Sequence, residues 1–124
     1  MSSSYWTMPS RDSGEAAERQ ALDYLLRQGL KLLETNYRSR FGEIDLILRD
    51  GDVLVFVEVR MRKNKDFGGA SASITPAKQA RLIKTASQYL TQFARPPQCR
   101  FDAVLLGAPN SGAIEWLKNA FDGE

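Results

Sequence analysis

The sequence predicts an α/β protein with one sheet, in the order α-β-β-β-α-β with a short C-terminal strand. Three observations predict it. An amphipathic helix pattern opens the chain and closes at Gly29. Two strand patterns then flank Asp50-Gly51, the strongest short-range hairpin signal. A second helix starts at Thr75-Pro76 and leads into a further apolar strand.

The first helix is expected from about Gly14 to Gln28, capped by Ser13 and ended by Gly29. Its stripe is Ala16, Ala17, Ala21, Leu22, Tyr24 and Leu25. Leu30 to Glu34 reads as a short strand. Strands from about Gly42 to Leu48 and from Val53 to Met61 form the hairpin. Residues 63–75 read as a loop. Thr75 and Pro76 suit an N-cap and first-turn position, with Leu82, Ile83, Ala86, Leu90 and Phe93 as the buried stripe. Arg95-Pro96-Pro97 stops this helix. Phe101 to Leu106 is a strand, and Ala113 to Leu117 a last short one. Residues 1–12 read as a flexible N-terminal tail, and 13–124 as one domain.

Composition narrows the chemistry. The chain has 124 residues, 43% hydrophobic and 26% charged, with net charge +2. No apolar run reaches the roughly 18 residues of a membrane span, and no secretory signal pattern is present. One cysteine, Cys99, excludes an internal disulfide and suits the cytoplasm. Histidine is absent. That excludes Ser-His-Asp and Cys-His catalysis and Cys/His zinc sites. A metal would need oxygen ligands, which favours Mg2+ or Mn2+.

The hairpin GEIDLILRDGDVLVFVEVR carries the candidate site. Strand side chains alternate between faces. Ile44, Leu46 and Leu48 are expected on one face of the first strand, with Glu43 and Asp45 on the other. Val53, Val55, Val57, Val59 and Met61 form the apolar row of the second, so Glu58 and Arg60 point the opposite way. A turn that pairs Arg49 with Asp52 sets Glu43 opposite Glu58 and places Asp45 diagonal to it. The Val59 face should pack on a helix, and the Glu58 face should be at least partly open. Like charges so placed destabilise a sheet and call for a cation. A solvated strand face with Arg–Glu pairing is the alternative, but Phe41, Ile47, Leu54 and Phe56 flank these acids with apolar surface. Neutralising Asp45 or Glu58 should leave metal-free stability unchanged or raise it. Arg38, Arg40, Arg60, Arg62, Lys63 and Lys65 are locally dense cations. Lys78, Arg81 and Lys84 line the polar face of the second helix, and such charge drives phosphate binding.

The segments GEIDLI (42–47), VFVEVRMR (55–62), FGGA (67–70), TPAKQ (75–79), CRFDAV (99–104) and EWLKNAF (115–121) resemble the YraN family of bacterial proteins. The resemblance runs from about Gly14 to the C-terminus. It implies a restriction-endonuclease-like mixed sheet of the PD-(D/E)xK type, related to archaeal-type Holliday junction resolvases. It implies Asp45 and Glu58 as metal ligands, with Glu43 beside them, and Glu18 on the first helix as the acid that completes such sites. Arg60 falls where the superfamily has its catalytic lysine. Gln79 is a loose match to a polar site residue. The implied activity is a magnesium-dependent DNA endonuclease, acting on branched or damaged DNA, with Arg62, Lys63, Lys65, Lys78 and Arg81 holding the backbone and a homodimer as the assembly by analogy. A nucleic-acid-binding module that retains the fold without cleavage is the alternative, and Arg60 favours it. A third reading is a protein-interaction or scaffold module that binds no nucleic acid.

Overall fold

A computed structural model describes residues 12–61, 74–107 and 113–121. The chain forms α1 (Asp12–Arg27), β1 (Lys31–Ser39), β2 (Gly42–Asp50), β3 (Val53–Met61), α2 (Pro76–Leu90), β4 (Cys99–Leu106) and β5 (Ile114–Phe121). The expected tail, Arg62, Lys63, Lys65 and the FGGA segment lie outside the described residues, apart from Asp12 at the start of α1. The strands make one mixed sheet in the order β1-β2-β3-β4-β5. Only β3 and β4 run parallel, joined through α2.

Helix α1 lays Ala17, Ala21 and Leu25 on Leu46, Leu48, Val55, Val57 and Val104. It ends at Gly29 in a Schellman motif: the Leu30 amide donates to Leu25 O at 3.2 Å and the Gly29 amide to Leu26 O at 3.0 Å. Leu30 and Leu25 then meet in the same core. On the opposite sheet face α2 buries Leu82, Thr85, Ala86 and Tyr89 against Ile44, Ile47, Leu54, Phe56 and Phe101. Thr75 caps α2 as expected, its hydroxyl accepting from the Lys78 amide at 3.2 Å. Strand β3 is central and buried on both faces, which accounts for its nearly unbroken apolar run.

Four expectations change. First, the Glu58 face is more covered than expected: α2 packs over it and Glu58 is only 5% exposed, so that only a cleft remains open there. Second, the hairpin register shifts. Asp50 pairs with Val53 and Leu46 with Val57, so Gly51-Asp52 forms the turn. Gly51 takes the left-handed φ of 63° that begins such turns. Asp50 is kept in the strand by Arg100 Nη2 at 3.0 Å. Third, Ile44 does not share a face with Leu46. Ile44 and Tyr37 pack on the α2 side, while Leu46 packs on the α1 side. Ladder pairs run Thr35–Leu46 and Tyr37–Ile44, so both strands switch faces at Asn36 and Asp45. Asn36 holds a left-handed φ of 50° there. Fourth, the outer strands are longer than predicted. β1 continues to Ser39 because its ladder with β2 runs to Ser39–Gly42. β5 reaches Phe121, which stacks on Phe101 at 4.8 Å.

Asp102, fully buried, ties this frame together. It accepts from Arg100 Nε at 3.0 and 3.2 Å, from Trp116 Nε1 at 2.9 Å and from the Asn119 amide at 3.0 Å. Removing one member of a buried charged pair costs about 3–5 kcal/mol. Asp102→Ala is therefore expected to lower the melting temperature by on the order of 10 °C, measured by circular dichroism.

Candidate metal and phosphate cleft

The ladder between β2 and β3 ends at Leu46–Val57. One step further, the same register sets Asp45 against Glu58. Instead of pairing, Asp45 turns its side chain to the neighbouring strand, and its Oδ2 accepts from the Val59 amide at 2.8 Å. A carboxylate thus fills the place of a lost ladder bond. The parting strands open a cleft of about 140 Å³, lined by Gly42, Glu43, Asp45, Glu58, Lys78, Arg81 and Leu82.

Three of the predicted acids therefore share one cavity. The fourth, Glu18, sits on the α1 side and lines a separate small cavity with Arg19, Leu22, Thr35 and Leu46. Asn36 Nδ2 donates to both Glu18 oxygens, at 3.0 and 3.2 Å. Glu18 still reaches Asp45 electrostatically. Burial first, then the charges of Glu58, Glu18 and Glu43, push the Asp45 carboxyl up to about 8, although the Val59 hydrogen bond opposes them.

Glu58 is held differently. Lys78 Nζ lies 2.9 Å from its Oε2 and Arg60 Nε 3.3 Å from the same oxygen. Lys78, expected on the outer DNA surface, is thus drawn into the cleft, half-buried against Glu58. Arg81 lines the cleft as well. Glu43 is partly buried; its Oε2 has no hydrogen-bond partner among the described residues and only a 3.7 Å ion pair with Arg38. Gln79 does not enter the cleft: its Nε2 donates to Ile74 O at 2.9 Å, fastening the start of α2.

The donor set suits a hard cation. No group of three or more His, Cys, Asp or Glu among the described residues forms a complete metal-holding set. Two carboxylates such as Asp45 and Glu58 could hold only an ion that keeps several waters, as magnesium does and structural zinc does not.

Residue reading missed Asn36, whose left-handed backbone and side-chain amide place Glu18. An Asn amid the strand-like run KLLETNYRS was the available signal, because Asn tolerates that conformation better than most residues.

Sequence comparisons agree with the motif resemblance. A family model described as "Uncharacterised protein family UPF0102" matches residues 17–106. A UPF0102 protein of Nitrosomonas eutropha is 56% identical over 113 residues, covering 91% of this chain and 96% of the relative. One from Janthinobacterium sp. is 56% identical over 110 residues, covering 89% and 87%. One from Psychromonas ingrahamii is 53% identical over 112 residues, covering 90% and 91%.

The geometry separates two substitutions that sequence alone treats alike. Asp45→Asn keeps an acceptor for the Val59 amide and removes a repelled charge. Glu58→Gln strips Lys78 and Arg60 of their shared partner. In metal-free buffer at pH 8, Asp45→Asn should leave the melting temperature unchanged or raise it, and Glu58→Gln should lower it. The folded chain binds the Asp45 proton more tightly than the unfolded chain, whose value is near 3.8. That contribution is complete below 3.8 and is lost as pH rises through about 8. Wild-type melting temperatures measured with chelator across this window should fall by more than those of Asp45→Asn.

Proposed function

This chain belongs to the uncharacterised protein family UPF0102, the YraN-type family its motifs indicate, and from that premise we propose that it is a divalent-metal-dependent endonuclease-like protein acting on DNA. The carrying observation is the cleft where β2 and β3 part, with Asp45 and Glu58 on one wall and Lys78 and Arg81 on the other. Carboxylates alone would repel a phosphodiester, and cations alone would bind it without cleavage. Their combination around one cavity is what metal-assisted phosphodiester hydrolysis requires.

Asp45 and Glu58 would hold the ion, Mg2+ or Mn2+, with Glu43 beside them. When bound, the ion supplies Lewis-acid charge at the phosphate and lowers the pKa of its water. Raised by burial and by three neighbouring acids, Asp45 is ready to exchange its proton for a cation. Glu18, fixed by Asn36, adds negative charge from the α1 side and would orient water. Arg60 cannot serve as a proton acceptor, since guanidinium stays charged. It would instead brace Glu58 and meet phosphate. Lys78 is the lysine that stands on Glu58, so its ammonium would orient the attacked phosphate from α2.

A non-catalytic DNA-binding module is the second reading. The observation in its favour is that Lys78 and Arg60 both ion-pair with Glu58, so side chains answer its charge.

Cleavage of plasmid, single-stranded and four-way-junction DNA in Mg2+ or Mn2+ tests the proposal. Wild-type protein should give product on at least one substrate. Asp45→Ala and Lys78→Ala should each lose about 100-fold or more of the rate. Undiminished cleavage by Asp45→Ala would exclude the cleft as the catalytic centre. DNA binding without cleavage on any substrate would favour the binding module.

A further inference from the structure

We infer that the β1–β2 turn and α2 form a continuous binding surface for a nucleic-acid phosphate backbone, running from the cleft over Arg81 and Lys84 to Arg40 and Arg38. It rests on the nuclease-like reading and extends the interface to residues outside the cleft.

Helix α2 carries Lys78, Arg81 and Lys84 and no acidic residue. Their spacing of i, i+3 and i+6 puts them on one side of the helix, where like charges repel. Lys78 also stands in its first turn, where the helix dipole is positive and favours acids. Lys78 is compensated by Glu58. Among the described residues, Arg81 and Lys84 have no carboxylate partner.

The β1–β2 turn brings further cations to the same place. Ser39 Oγ donates to Thr85 Oγ1 at 3.3 Å and accepts from the Phe41 amide at 3.0 Å. Thr85 Oγ1 in turn donates to Arg81 O at 2.9 Å. Gly42, with a φ of 150°, lies so close to α2 that a Cβ there would sit 3.6 Å from Thr85 Oγ1 and 3.7 Å from Arg81 Cβ. The turn is therefore fastened to the helix. Phe41 receives Arg40 Cζ at 5.1 Å from its ring centre and Lys84 Nζ at 5.7 Å. Both contacts place the cations without neutralising them. Arg38, Arg40, Arg81 and Lys84 are all exposed.

Four exposed cations held around one docked turn repel one another, and among the described residues only Arg38 of the four forms an ion pair. A partner with regularly spaced negative charge relieves that repulsion. Gly42 and Arg81 also line the cleft, so the cationic surface leads directly to Asp45 and Glu58. A DNA backbone fits that continuity, whereas an anionic membrane surface has no reason to meet a cleft of carboxylates.

The test is fluorescence anisotropy of the full chain with duplex and four-way-junction DNA across a salt series, in calcium or chelator to prevent cleavage. The Arg40→Glu/Lys84→Glu variant should raise Kd at least 10-fold. The milder Arg40→Gln/Lys84→Gln variant should reduce the salt slope by about 2, one for each lost phosphate contact, with an unchanged melting temperature. If wild type binds DNA and Arg81→Gln weakens it while both double variants bind normally, this surface is wrong and the cleft reading survives. If wild type binds no DNA, both are overturned. Binding to phosphatidylserine vesicles but not to DNA would overturn both and assign the cations to a membrane.

Discussion

The structure turns on one hydrogen bond, from the Val59 amide to the Asp45 carboxylate. Two central strands of a sheet ordinarily remain paired to their ends. Here the ladder stops after Leu46 and Val57, because continuing it would set two carboxylates face to face in a buried position. Asp45 resolves the conflict by taking the vacated backbone donor for itself. The strands can then diverge without leaving a buried amide unsatisfied. The cleft follows from that divergence, as does the meeting of residues from β2, β3 and α2 around it.

Each helix brings a different charge to this opening. From the α1 side, Glu18, held by Asn36, adds the charge of a fourth acid to those of Glu43, Asp45 and Glu58. From the α2 side, Lys78 and Arg81 add cations. The centre is thus asymmetric across the sheet, acid-reinforced below and cation-reinforced above. Such an arrangement is costly for folding, as the upward shift of Asp45 indicates. Unfavourable charge gathered in one cavity is more typical of binding and catalytic sites than of structural ion pairs. The Asp102 network offers the contrast. It is more deeply buried, but its bonds to Arg100, Trp116 and Asn119 satisfy it.

Much of this was legible in the residues. Helical periodicity and the residues Thr75, Pro76 and Gly29 placed both helices, because they act through local backbone geometry, although Ser13, expected as the cap of α1, lies within it. Period-two alternation marked β3 to the residue and placed Glu58 opposite the valine row. The failures share a cause. The turn at Gly51-Asp52, the face switch at Asn36 and Asp45, and the length of β1 and β5 depend on partners distant in sequence: Arg100 for Asp50, β2 for β1, Phe101 for Phe121. Local pattern holds no record of such partners.

By itself, then, the sequence determined the elements, the absence of histidine chemistry and the concentration of acids on one hairpin. Those follow from residue type and local spacing. Only the tertiary structure decided which cations answer those acids. Lys78 is 20 residues beyond Glu58 in the chain, and its pattern reads as a helix surface. It reaches the carboxylate because α2 crosses over the sheet between β3 and β4. That crossing comes from packing Leu82, Ala86 and Tyr89 onto the sheet, and no local rule could have aimed the ammonium at its acid.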